Sequence, residues 1–248
     1  MEVHMKAVLT SSLGGALRID GKRIPSVLIE TNGLLEKVRS LWPAEARVLM
    51  MSASPTDHEK NDALLECFLQ ALPMSGLDLF SIEMCDGRNE EIASQIESKN
   101  VVILTGGHVP TQNSFFGKIR LKESLKDYQG LVLAWSAGSM NCADTVYAAP
   151  ELPGEAADPS YERRIPGLGL TKINILPHFQ TLREEILDGL RLIEDIAFPD
   201  STDHEIIAMN DGSYIVIDDA GETLYGEAYS IKDGLLKQIC CDGSSICL

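Results

Sequence analysis

Seven short apolar runs punctuate the chain, at residues 6–10, 47–52, 77–82, 101–105, 131–135, 172–176 and 205–209. Each is too short for a core helix and rich in aliphatic side chains, which predicts strands buried on both faces. Between most of them the apolar positions change to a helical period. In 62–72, Leu64, Leu65, Phe68, Leu69 and Leu72 fall on one helical face, and Leu182, Ile186, Leu190, Ile193 and Ala197 predict a second helix over 182–197. Strands alternating with helices predict an α/β fold, a mostly parallel sheet with helices on both faces.

After Asp211 the pattern shortens into alternating runs at 213–218, 224–231 and 235–239, punctuated by Asp-Gly and Ala-Gly pairs, which predict C-terminal antiparallel hairpins. The long irregular stretch is 148–167, rich in Pro, Gly and charge. Its length suits a lid or specificity loop as well as a surface excursion. No internal repeat divides the chain, so 1–248 reads as a single domain, large enough to bury a substantial core.

In open α/β sheets, ligands sit outside the carboxyl ends of the strands, so polar residues following the runs come first. Gly106-Gly107 follows one run, Ser136 a second, His178 a third and Asp211 a fourth. Ala134-Trp135-Ser136-Ala137-Gly138 has the form of a nucleophile elbow, a strand ending in a turn so tight that only small residues fit beside the serine. Ala134 stands where that motif prefers glycine. Serine, histidine, a carboxylate and a glycine turn are the parts of an acyl-transfer site.

The formal net charge is −16, which opposes nucleic acid and anionic membranes, so neither is an expected partner. No run reaches the roughly 20 apolar residues of a membrane span, and the opening Met1 to Lys6 lacks an apolar leader, which predicts a cytoplasmic protein. The six cysteines form no Cys-x-x-Cys pair, so reduced thiols are expected, with no metal and no cofactor. Self-association into a homo-oligomer is left open.

Together, Ile103 to Gly107, Ala134 to Gly138, Gly167 to Leu170 leading to Leu176-Pro177-His178-Phe179, and Ala208 to Ser213 resemble the dipeptidase E and cyanophycinase family of serine peptidases. That resemblance implies the three-layer, flavodoxin-like fold of class I glutamine amidotransferases. It also implies roles: Ser136 as nucleophile, His178 as base, Asp211 as its partner, and the N–H groups of Gly107 and Ala137 as oxyanion hole. The substrate implied is a small peptide or related amide, cut after an acidic, aspartyl residue. In dipeptidase E an arginine placed like Arg183 binds that acidic side chain, and His108, standing where the family commonly has asparagine, falls at the substrate site. Ser139 replaces a common alanine, and Asp211 stands where dipeptidase E has glutamate.

Blander readings compete at each position. Asp211-Gly212 is also an ordinary hairpin signal, Glu151 and Asp144 are rival carboxylates, and Arg183 suits a solvent-facing helix position. Arg163 and Arg164 are alternative positive charges, while His4, His58 and His204 have no supporting motif. The same elbow would serve an esterase or amidase on a non-peptide acyl compound, or persist in a catalytically silent binding protein.

Overall fold

The computed structural model describes residues 5–248; His4 lies outside them. Eight strands form the main sheet in the spatial order Ser245–Cys247, Gly221–Tyr225, Tyr214–Asp218, Lys6–Thr10, Leu131–Trp135, Val101–Leu104, Ala46–Met51 and Leu79–Cys85. The last five run parallel, and the first three extend the sheet antiparallel beyond Lys6–Thr10. In the parallel part, Thr10 pairs with Trp135, Ala134 with Leu104 and Leu104 with Met51, so four strands end almost level at one carboxyl edge.

The period of two along each strand divides the core into two layers. Val102, Leu104, Val132 and Ala134 pack with Phe115, Phe116 and Leu121 of the helices on one face. Their neighbours Val101, Ile103, Leu131 and Leu133 pack with Leu34, Val38, Phe68 and Leu72 on the other. Helices Leu34–Leu41 and His58–Met74 therefore cover one side, and Val109–Lys118 and Leu121–Leu125 the opposite side, as the fold class requires. Among the described residues no helix is long and apolar enough to cross a membrane.

A second sheet of four strands, Asn174–Leu176, Ile206–Met209, Ala228–Lys232 and Leu235–Cys240, stands apart from the first. It takes two of the runs expected in the main sheet. The run at 224–231 is not one strand: Gly226, at φ 89°, donates its N–H to Ser244 and ends Gly221–Tyr225 in one sheet before Ala228–Lys232 begins in the other. The strand expected at 77–82 lies later, at Leu79–Cys85, because Leu77 still closes the preceding helix with its N–H on the Leu72 carbonyl.

The helix expected over 182–197 does not form. Its place is taken by a helical turn at Phe179–Leu182, a hairpin of Ile186–Leu187 with Leu190–Arg191, and a wide helical turn at Leu192–Ala197. Asp188 and Gly189 take φ of 53° and 83°, the left-handed pair that a two-residue hairpin demands. The Asp188 carboxylate further accepts the N–H groups of Gly154 and Ala156 across the structure. Turn chemistry and these bonds override the apolar spacing.

Close backbone approach accounts for one glycine of the elbow. Gly138 lies against the Leu104 backbone so tightly that any Cβ would overlap its carbonyl. Gly138→Ala should therefore destabilise the protein by about 1–3 kcal/mol in denaturant unfolding, since neither strand nor elbow can retreat. Gly117→Ala, on the Val109–Lys118 helix with nothing within 4 Å of its Cβ position, should gain about 0.5 kcal/mol or more. Similar effects at the two sites would remove the close-approach explanation.

Candidate active site

The Leu131–Trp135 strand ends in Ser136 at φ 51° and ψ −121°, a conformation that L side chains rarely adopt, and a four-residue helix Ala137–Met140 starts directly after it. Such strain persists only where the surroundings over-determine it. Here the Thr10 carbonyl does so twice, accepting the Ser136 N–H at 3.0 Å and the Ser139 hydroxyl at 2.8 Å. Thr10 in turn donates its own hydroxyl to the Ala134 carbonyl. Ser139 thus clamps the elbow to the neighbouring strand.

His178 follows Asn174–Leu176 in the small sheet and is itself left-handed, at φ 57° and ψ 30°, its carbonyl opening the Phe179–Leu182 turn. This aims the imidazole at the elbow. Nε2 lies 3.0 Å from Ser136 Oγ, and Nδ1 lies 2.8 Å from Asp211 Oδ1. Asp211 follows Ile206–Met209, the strand beside that of His178, so parallel pairing delivers the carboxylate and the imidazole to the same edge.

Two further residues, which the motifs did not indicate, complete the arrangement. Ser11, fully buried one position beyond the Lys6–Thr10 strand, donates its hydroxyl to Asp211 Oδ1 at 2.8 Å and accepts the His178 backbone N–H at 2.8 Å. Gln180 Oε1 accepts the Asp211 N–H at 3.0 Å. A serine just past a strand at the same carboxyl edge as Gly106 and Ser136 was the available signal. Burial works against the Asp211 charge, yet the bonds from His178 and Ser11 outweigh it and hold the carboxyl below the usual carboxylate range.

Gly106 and Gly107 bring backbone to the other side of Ser136. A Cβ on Gly106 would stand 2.5 Å from the Trp135 indole nitrogen, and one on Gly107 would stand 2.6 Å from the Ala53 side chain. Trp135 is fixed by stacking on Phe68, with centroids 5.3 Å apart. Among the described residues neither the Gly107 nor the Ala137 N–H is taken by a backbone carbonyl, which leaves both able to donate to a developing oxyanion.

A cavity of about 210 Å³ opens beside Ser136 and His178, walled by Leu182, Leu187, Leu192 and Ile193 and bordered by Glu151 and Glu185. It is lined by residues of the 182–197 segment and by residues 149–151 of the long loop. That loop is closed at its base by pairing of Thr145–Tyr147 with Arg164–Pro166, and it is pinned by Glu155. Glu155 Oε1 meets His108 Nε2 at 2.8 Å, while Oε2 accepts the N–H groups of Glu151 and Leu152. His108, bonded on its other side to Thr111, is engaged in holding the loop and does not line the cavity.

Arg183 is exposed and also stands outside the cavity lining. Arg163 and Arg164 bind Asp200, through its side chain and its carbonyl respectively. Of the rival carboxylates, Asp144 is exposed and accepts its neighbour Thr145's N–H. Glu151 borders the cavity without touching the His178 ring nitrogens. Although much of Glu151 faces solvent, burial and the adjacent Glu155 push its carboxyl up to about 7.

A family model described as peptidase family S51 matches residues 44–225, a span that includes Ser136, His178 and Asp211. The fold is similar to the crystal structure of a peptidase from an acI-B1 Actinobacterium, with TM-score 0.66 and 14% identity over 99% of this chain and 97% of that one. It is also similar to a protein from Listeria monocytogenes EGD-e assigned as a peptidase E, with TM-score 0.58 and 14% identity over 95% of this chain and 99% of that one. At such identity the likeness concerns the fold. No curated protein sequence matches the chain.

Ser11→Ala should leave Asp211 Oδ1 and the His178 N–H each short of a partner, at a cost of about 1–3 kcal/mol in unfolding experiments. The Asp211 carboxyl should titrate higher in the variant, by carbon-13 NMR. Because its native value is depressed, the stability it contributes is full above the ordinary aspartate range and fades as pH falls through the native value. The variant should lose that acid-side slope in part. An unchanged titration would show that the Ser11 hydroxyl does not act on Asp211.

Proposed function

The chain belongs to peptidase family S51 and is a serine peptidase, and from that premise we propose that Ser136, His178 and Asp211 carry out its hydrolysis of a small peptide or related amide. Ser136 Oγ attacks the scissile carbonyl carbon as His178 Nε2 takes its proton. The imidazolium then gives that proton to the departing amine, leaving an acyl-enzyme. Water enters, loses a proton to His178 and attacks the ester; the proton returns to Ser136 as the acid product leaves. Asp211 fixes the imidazole tautomer and steadies the positive charge that forms twice in each turnover.

The observation that carries this reading is the unbroken contact chain from Ser136 Oγ to His178 Nε2 at 3.0 Å and from Nδ1 to Asp211 at 2.8 Å, with the serine on a strained elbow. The N–H groups of Gly107 and Ala137 serve as oxyanion hole, each worth roughly 3 kcal/mol of barrier. Asp211 serves where the resemblance to dipeptidase E leads one to expect a glutamate, its Oδ1 lying 2.8 Å from His178 Nδ1. The aspartyl preference expected from the resemblance draws no support from the cavity, whose lining includes two glutamates and neither arginine nor lysine.

Ser136→Ala should lower kcat by on the order of 10⁴-fold or more in peptide hydrolysis while the protein stays folded. Asp211→Asn should cost about 10⁴-fold, through the wrong tautomer. A fluorophosphonate should label the native protein at Ser136 and fail to label Ser136→Ala. Full turnover in a folded Ser136→Ala variant, or labelling at another residue, would overturn the assignment.

A further inference from the structure

The cavity beside Ser136 is apolar along most of its wall and acidic at its border. Glu151 and Glu185 reach it from unrelated elements, one from the long loop and one from the segment between the Phe179–Leu182 turn and the following hairpin. Neither position is incidental. Glu151 is set by Glu155, which holds its N–H at 2.9 Å and is itself anchored to His108 beside Gly107. Glu185 is set by the Leu192 N–H on its carbonyl at 3.0 Å.

Neither glutamate forms an ion pair with a basic side chain among the described residues. Two acidic groups bordering one largely apolar pocket repel each other, and at Glu151 burial of the carboxyl adds to the cost. A cationic ligand group relieves both penalties and gains charge-assisted hydrogen bonds. A carboxylate ligand would meet repulsion from both, in a protein whose overall charge of −16 already disfavours it. The cavity, at about 210 Å³, is smaller than the roughly 300–1,000 Å³ of ordinary small-molecule pockets, so it suits one residue rather than an extended chain.

We infer that Glu151, backed by Glu185, selects substrates that bring a positively charged amine into the Ser136 cavity and rejects acyl groups bearing a carboxylate. The inference rests on Ser136 being the nucleophile, and it makes Glu151 a specificity-determining residue. The ammonium comes from either of two sources, the free α-amino group of a peptide or a basic side chain. In both, the scissile carbonyl lies at Ser136 while the charge lies at the loop.

Kinetics on fluorogenic aminomethylcoumarin amides of norleucine, lysine and aspartate, each with a free or acetylated α-amine, would test it. Native protein should favour the ammonium-bearing members over acetyl-norleucyl amide by at least tenfold in kcat/KM, with acetyl-aspartyl amide lowest. Acetyl-lysyl against acetyl-norleucyl amide reads the side-chain source, and free against acetylated norleucyl amide reads the α-amine. In Glu151→Gln the ratio between charged and uncharged members should fall tenfold or more, and in Glu185→Gln it should fall in the same direction. An aspartyl preference, or ratios unchanged in both variants, overturns the inference.

Calorimetric titration of lysinamide and acetyl-norleucinamide into Ser136→Ala protein separates this from the mechanism. Lysinamide should bind more tightly there, and adding Glu151→Gln should weaken it tenfold or more; equal binding of the two compounds overturns the inference. Hydrolysis surviving in Ser136→Ala would overturn the nucleophile assignment instead, whatever the binding shows.

Discussion

The left-handed turn at Ser136 is the constraint on which the rest of the site depends. A non-glycine residue at φ 51° and ψ −121° costs on the order of 1–3 kcal/mol and relaxes unless held. Three neighbours hold it. The Thr10 carbonyl grips the Ser136 N–H and the Ser139 hydroxyl from one side, the Leu104 backbone presses on Gly138 from the other, and the Gly106 turn leaves room for the Trp135 indole. All three contacts come from the strands flanking Leu131–Trp135 or from the turn that follows one of them, so parallel register fixes the direction of Ser136 before His178 or Asp211 is considered.

The partners come from a different sheet, and this makes the junction between sheets a functional feature. His178 and Asp211 follow adjacent parallel strands of the small sheet, which sets their mutual spacing but not their distance from Ser136. Ser11 supplies that link. It extends the strand whose Thr10 holds the elbow, and its hydroxyl bonds both the His178 backbone and the Asp211 carboxylate. Ser136, His178 and Asp211 are thus referred to one short segment, Thr10 to Ser11, by hydrogen bonds of 2.8–3.0 Å.

The strands of the parallel core and the elbow were legible in the sequence because buried runs of four to six aliphatic residues carry their own signal, and small residues around a serine carry another. What was not legible depended on which sheet a strand joins. The runs at 172–176 and 205–209 read the same whether they extend the main sheet or build a second one, since hydrophobicity reports burial and not the neighbour. The 182–197 segment misled for a related reason. Its apolar spacing suits a helix as well as the packed hairpin and wide turn, and only Asp188-Gly189, a pair also found at 20–21 in the Gly14–Leu28 hairpin, signalled otherwise. Ser11 and Gln180 escaped notice because single polar residues carry no pattern; only the place of Ser11 just past a strand was a signal, and both gain their meaning from the distances that folding creates.

The carboxylates of Asp211 and Glu151 show how environment drives chemically similar groups in opposite directions. Asp211 is partly desolvated, which alone would raise it, but hydrogen bonds from His178 and Ser11 hold it ionised. Glu151 is desolvated too, and its neighbour is a second carboxylate, Glu155, so it is pushed up to about 7, against the pull of the Val109 N–H and of His178. A residue opposite the imidazole that stayed fully charged would draw a forming imidazolium away from Asp211. Glu151, pushed up to about 7, competes less for that charge, and a cation entering beside it would favour its ionised form. Asp211 thus stays charged against the His178 ring, while Glu151, at the border of the cavity that His178 also lines, is drawn toward its neutral form by burial and by Glu155.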